Sequence, residues 1–175
     1  MKAILMSIQP KWCEKIANGE KTIEVRKTKP KLQTPFKCYI YCTQTKTIGD
    51  IILCKSEENA KLFGYNAVKG INKGFSEKED INLKGKVIGE FVCDKIAGEG
   101  ETIRGNACLT VDELIDYCKG KDLYFWHITD LKIYDKPKEL SEFRIAEYHY
   151  GKIHLPPRDI SRPPQSWCYI EERGE

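Results

Sequence analysis

A chain of 175 residues with 41% hydrophobic and 31% charged side chains is long enough to form one domain, residues 1–175, whose core needs no disulfide or metal staples. Its formal net charge of +3 is too small for strong non-specific attachment to long nucleic-acid duplexes. No apolar run is long enough to span a bilayer, and no signal-peptide core follows Met1-Lys2-Ala3, so a soluble, cytoplasmic protein without a membrane partner is expected.

Along the chain, Lys2 to Ile8 is apolar enough for a buried strand. Pro10 suits the first turn of a helix, because its φ is fixed and its missing N–H has no helical partner there. Trp12, Cys13, Ile16 and Ala17 recur at helical spacing, and Asn18-Gly19 stops the helix with residues that tolerate a left-handed cap. The next element alternates. Ile23 and Val25 are expected to face a core while Thr22, Glu24 and Arg26 face the other way. Lys21 has the parity of the apolar residues, so it joins Glu24 and Arg26 only from the strand entrance, by snorkelling, or through a bulge. Opposite charges on both sides favour the ionised form of a carboxyl group, so Lys21, Glu24 and Arg26 together offer one acceptor and two phosphate-binding donors. These three are the candidate catalytic residues. Lys11, Thr22 and Lys27, their neighbours in sequence, are candidate substrate contacts.

Residues 1–49 hold ten Lys/Arg against three acids, and residues 50–175 hold nineteen against twenty-three. Lys27, Lys29, Lys31 and Lys37, interrupted by Pro30 and Pro35, read as a basic loop beside the candidate site or as an ordinary solvated loop. Phe36 to Thr43 and residues 48–54 are strand-like. Residues 55–84 are polar and carry several glycines, which suggests a long excursion, either a surface insertion or a lid. Val87 to Ile96 has two apolar faces, as a central strand does.

Thr110-Val111-Asp112-Glu113 has the capping-box pattern, and Val111, Leu114, Ile115 and Cys118 form an apolar stripe before Gly120. Asp112, Glu113 and Asp116 are either candidates for a second acid in a catalytic pair or, as their places in the first turns favour, residues that serve capping and the helix dipole. Tyr124 to Tyr134 alternates as one long strand, with Trp126, Ile128 and Asp130 on one face and Phe125, His127, Leu131 and Ile133 on the other. His127 is either a general base or a satisfied core group. Trp126 and Trp167 are either core residues or stacking platforms, where an aromatic face holds a base by roughly 1–3 kcal/mol. Arg158 and Arg162, in the proline-rich approach to the last strand, are either phosphate contacts or surface charges. The eight cysteines show no Cys-x-x-Cys pair and read as small buried hydrophobes, with no metal site. No Walker, Rossmann, nucleophile-elbow or His-Glu-x-x-His motif is present, so no cofactor is expected. No motif identifies a protein partner.

Four blocks of the sequence, in order, resemble the ASCH domain family of PUA-like proteins: Ser7-Ile8-Gln9-Pro10 with Gly19-x-Lys21-x-x-Glu24-x-Arg26, then 85–91, then 125–137, then 163–170. The resemblance implies a mixed α/β (α+β) fold, a PUA-like β-barrel of about five to seven mostly antiparallel strands with a few flanking helices. It also implies association with RNA. Some members cut RNA, and others are amidohydrolases that remove acyl groups from modified cytidine. Three functions follow. A metal-independent ribonuclease would divide base, acid and cation roles among Glu24, Lys21 and Arg26. A non-catalytic module would use the same side chains to bind single-stranded RNA or a modified nucleotide. An amidohydrolase acting on N4-acylated cytidine fits less well, because in those relatives a lysine activates a threonine three residues later, and here that position is Glu24.

Overall fold

The structure, a computed structural model, describes residues 2–44, 52–53, 81–150 and 153–172. Of the excursion expected at 55–84 only 81–84 fall among these, and of the strand expected at 48–54 only 52–53.

A seven-stranded sheet runs in the order β13 (Arg158–Asp159), β10 (Phe143–Ile145), β14 (Trp167–Glu172), β1 (Ala3–Ile8), β3 (Phe36–Cys42), β6 (Val87–Cys93) and β9 (Thr129–Lys138). A three-stranded sheet runs β2 (Ile23–Arg26), β8 (Tyr124–His127), β7 (Ile96–Ala97). Two ribbons pair β11 (Tyr148–Tyr150) with β12 (Ile153–Leu155), and β4 (Ile52–Leu53) with β5 (Ile81–Asn82). The ladders are antiparallel except that β1 lies parallel to β3. The helices are α1 (Pro10–Ala17), α2 (Val111–Cys118) and a short 3-10 turn at Leu140–Glu142.

β1 is central, and all six of its residues are buried, which is why it reads as an almost continuous apolar run. Its side chains divide by parity. Ile4, Met6 and Ile8 join Cys38, Ile40 and Cys42 of β3 in one core, which α1 seals with Cys13, Ile16 and Ala17. Ala3 and Leu5 join Tyr39 and Tyr41 in a second core on the opposite face, capped by Phe143 and Ile160.

The expected closed barrel is not formed among the described residues. The seven-stranded sheet stays open, with β13 and β9 at its edges. The reason lies at two corners. The strand expected at Tyr124 to Tyr134 breaks at Ile128, whose N–H donates to Thr22 O at 2.9 Å, and Asp130 takes a left-handed φ of 47°, a conformation aspartate tolerates better than most residues. The strand expected at Val87 to Ile96 likewise ends at Cys93. Each chain therefore leaves one sheet and enters the other, so β2, β8 and β7 form a second layer instead of extending the first ladder.

Helix α2 forms as its capping box requires: Thr110 Oγ1 accepts from Glu113 N, and the Glu113 carboxylate accepts from Thr110 N. Lys119 and Gly120 close it with φ of 48° and 72°. Its apolar stripe does not enter either core, for Val111 is 71% and Ile115 61% exposed.

Candidate functional site

At the end of β1 the chain turns through Gln9, which is held extended by the proline that follows it (ψ 148°). Helix α1 then buries Cys13, Ile16 and Ala17, leaving Lys11 exposed and Trp12 half-buried at its edge. Gly19, at φ 75°, reverses the chain after the helix. Lys21 N then donates to Lys15 O at 3.0 Å, so Lys21 sits just before β2, at the strand entrance.

From there three charged side chains converge. The Lys21 ammonium donates to Ala107 O at 2.7 Å and lies 3.4 Å from Glu24 Oε2, with the Trp12 ring centroid 5.1 Å away. Arg26 Nη2 lies 3.1 Å from Glu24 Oε1 and donates to Ser7 O at 2.8 Å. The side chains of Lys21, Glu24 and Arg26 are only 2%, 8% and 9% exposed. Glu24 Oε2 makes no hydrogen bond of good geometry, and Arg26 Nε has no partner among the described residues.

This corrects the expected orientation of β2. Glu24 and Arg26 do share a face, but it is the inward one: Glu24 stands opposite Trp126 of β8, whose side chain lies in the core under α1, and directly opposite residues project to the same side. Ile23 and Val25 are buried as well, yet neither joins a core cluster. On their side the loop before α2 closes over the strand, so tightly that a Cβ on Gly105 would meet Ile23 and Thr22 at 2.8 Å.

The charged set borders a pocket of about 630 Å³. The β1–α1 turn contributes Ser7, Gln9, Lys11 and Trp12, the second layer Lys21, Glu24 and Arg26, and α2 Glu113 and Tyr117; Pro163, Pro164 and Gln165 close the remaining side. The C-terminal wall is fastened to β1, because Ser7 Oγ donates to Pro164 O at 2.6 Å and Ser7 N to Ser166 O at 2.9 Å. Three cationic and two acidic side chains line the space, so its charge is close to balanced.

Burial lowers the pKa of Lys21, and the neighbouring Glu24 carboxylate opposes this only in part. Burial also raises the Tyr117 phenol, against the pull of Arg26. The sign for Lys21 gives a prediction. Between its lowered value and the ordinary 10.5 the unfolded chain binds more protons than the folded one, so this residue's contribution to stability rises with pH there. The unfolding free energy of wild type minus that of Lys21→Met should therefore increase from neutral pH into the window below 10.5. Urea titrations across that range measure it, and a flat difference would contradict the assignment.

The other candidates are scattered. Lys11 lines the pocket, and Lys27 lies just past it, with its Nζ 4.6 Å from the Tyr117 ring centroid. Thr22 does not line it: its hydroxyl accepts from Asn106 N at 2.8 Å in the loop before α2. His127 stands opposite Ile23, with Nδ1 2.8 Å from Asp94 Oδ1, and faces away from the charged set. Trp126 is fully buried, edge-on to Phe36 at 5.7 Å, and so presents no face to a base. Trp167 is half-buried against the same core, its Nε1 donating to Thr28 Oγ1 at 3.0 Å. Arg158 and Arg162 are exposed and outside the lining. Cys13, Cys38, Cys42 and Cys93 are buried free thiols, Cys108, Cys118 and Cys168 partly exposed free thiols.

The sequence reading missed Trp12 and Tyr117 as pocket residues. Trp12 shares its helical spacing with Cys13, Ile16 and Ala17, but where those three are buried, Trp12 packs on the edge of the core half-buried and also lines the pocket. Tyr117 lies off the apolar stripe of α2, and only its spacing of four from Glu113 puts both on one helical face.

The ASCH domain family model matches residues 6–138. Among solved structures, the chain resembles the ASCH protein of Zymomonas mobilis, with 17% identity and a TM-score of 0.53 over 97% of this chain and 87% of that one. It also resembles a tyrosine-to-phenylalanine variant of that protein, with 17% identity and a TM-score of 0.56 over 98% and 91%. Identity this low establishes likeness of fold. No curated protein matches the sequence.

Proposed function

This chain belongs to the ASCH domain family, and from that premise we propose that its pocket binds single-stranded RNA or a nucleotide through Lys21, Glu24 and Arg26. The observation that carries this reading is the burial of all three charged side chains at one pocket wall. Removing ions from water costs several kcal/mol per charge even after relaxation, and a core built only for stability avoids that cost with apolar side chains. Among the described residues Glu24 Oε2 has its ion pair with Lys21 but no hydrogen bond, and Arg26 Nε has none, which leaves polar capacity for a ligand. The pocket volume of about 630 Å³ suits a small molecule or one nucleotide, not a duplex. In this reading Arg26 and Lys11 attract phosphate, and Glu24 accepts from the donor edge of a base.

A metal-independent ribonuclease is the second reading, and the lowered pKa of Lys21 beside a carboxylate favours it. One group of the set would take the proton of a 2′-hydroxyl; the freed oxygen would attack the adjacent phosphorus and expel the 5′-oxygen, which takes a proton from another group, while Arg26 balances the developing charge. Amidohydrolase chemistry has no such support: Glu24 stands where relatives of that kind have the threonine, and Thr22, the hydroxyl adjacent to Lys21, accepts from Asn106 N and lies outside the pocket lining.

The test is equilibrium binding of a short, end-labelled single-stranded oligoribonucleotide in the presence of chelator, with Glu24→Gln purified identically. Wild type should bind saturably and more weakly as salt rises, and Glu24→Gln should bind about tenfold less well, the loss of one charge-assisted contact. Cleavage that disappears in Glu24→Gln selects the ribonuclease; binding without cleavage selects the module. Equal affinity of the two proteins would refute both.

A further inference from the structure

We propose that Trp12 and Tyr117 are the base-stacking walls of the pocket, and that its ligand is an internal nucleotide of single-stranded RNA whose two flanking phosphates take Lys11 and Lys27. The inference rests on the RNA-binding reading above and specifies its ligand. Trp12 from α1 and Tyr117 from α2 are both pocket-lining aromatics, whereas Trp126 and Trp167 do not border the space.

Each of these rings already carries a cation. Lys11 Nζ lies 4.2 Å from the Trp12 centroid, and Lys27 Nζ lies 4.6 Å from the Tyr117 centroid. Lys11 is exposed and Lys27 half-buried, so both are hydrated ammonium groups on flexible stems, free to swing off a ring. Lys21 differs, since Ala107 O and Glu24 hold it in place beneath Trp12. A stacked base interacts with an aromatic face more strongly than an exposed ammonium does. An incoming base therefore displaces the mobile lysines and leaves Lys21 where it is.

The displaced cations then have defined work. They belong to different elements, Lys11 to α1 and Lys27 to the end of β2, and they start from different rings. In the proposed pose the base lies against Trp12 and Tyr117 with one ammonium starting from each ring, an arrangement that suits phosphates before and after one nucleotide. A free nucleoside engages the rings but neither lysine. A tyrosine phenol is protonated at neutral pH and partial burial moves Tyr117 further in that direction, so that wall adds no negative charge against the strand.

Binding of a labelled single-stranded oligoribonucleotide of mixed sequence, and competition by the four free nucleosides, test this in wild type and variants checked for folding by circular dichroism. Trp12→Ala should weaken both ligands about tenfold or more, Trp12→Phe should retain most of the affinity, and Tyr117→Ala should weaken both without touching α1. The double variant Lys11→Ala/Lys27→Ala should weaken the oligonucleotide alone and reduce the slope of log affinity against log salt by about 1.4, the loss of two phosphate contacts on a single strand. Unchanged affinity in Trp12→Ala and Tyr117→Ala, or an unchanged slope in the double variant, would overturn the inference. If wild type binds and Glu24→Gln weakens it while these variants do not, only this inference fails; if wild type binds no oligonucleotide, the RNA-binding reading fails with it.

Discussion

Glu24→Ala should lower the unfolding free energy by about 3–5 kcal/mol, the usual result of removing one partner from a buried ion pair. The carboxylate lies between two buried cations, 3.4 Å from the Lys21 ammonium and 3.1 Å from the Arg26 guanidinium. Without it two like charges remain in a space where water barely reaches them. Lys21 retains Ala107 O and Arg26 retains Ser7 O, but neutral carbonyls do not cancel two positive charges. Glu24→Gln should cost less, because the amide keeps the shape and one acceptor oxygen while losing the charge. Urea denaturation of the three proteins at neutral pH gives both differences. An alanine variant as stable as wild type would mean that the three side chains are solvated in solution, and the argument from their burial would collapse.

Trp126→Ala should cost a similar amount, about 3–5 kcal/mol, for an unrelated reason. Trp126 is completely buried, edge-on to Phe36 at 5.7 Å and tilted against Trp167 at 5.9 Å. Its removal opens a cavity where the two sheets meet, and close-packed neighbours refill such a space only in part. Loss of its indole N–H, which has no hydrogen-bond partner among the described residues, offsets a little of this. The variant protein that remains folded should bind RNA with unchanged affinity, since Trp126 does not border the pocket. Trp12→Ala should show the reverse weighting, with binding lost and a smaller cost to stability, because Trp12 is only half-buried on the edge of the core. A stable Trp126→Ala protein with weakened RNA binding would restore Trp126 as a stacking platform.

The local elements were legible wherever the physics is local. The buried strand expected from Lys2, the helix opened by Pro10 and stopped at Asn18-Gly19, and the capping box at Thr110 all depend on residues within a few positions of one another, and all three form, the strand beginning one residue later at Ala3. Family membership was legible too, because its motifs are short and lie in order along the chain. Strand parity puts Glu24 and Arg26 on one face, while of the three routes open to Lys21 it is the strand entrance that brings it to them. What the sequence hid was non-local. Alternation shows that Glu24 and Arg26 share a face, but not which face a second layer will cover, and that depended on the breaks at Cys93 and Ile128 that pass chains between sheets. The same breaks account for the open sheets found where a closed barrel was expected. Trp126 and His127 are adjacent in sequence, so their fates had to diverge, one to the core and the other to Asp94. The apolar stripe of α2 is a correct helical pattern whose burial periodicity alone does not guarantee.

The most direct test of the account is an amide NMR titration of the wild-type protein with a short single-stranded oligoribonucleotide. Shifts should grow with RNA and saturate at Ser7, Lys11 and Trp12, at Lys21 through Arg26, at Glu113 and Tyr117, and at Gln165, the residues that surround the pocket. Asp94, His127 and Ile153 should stay still. Shifts concentrated around His127, or along the exposed Val111 and Ile115 face, with the pocket residues silent, would contradict the claim that this pocket is where the protein meets RNA.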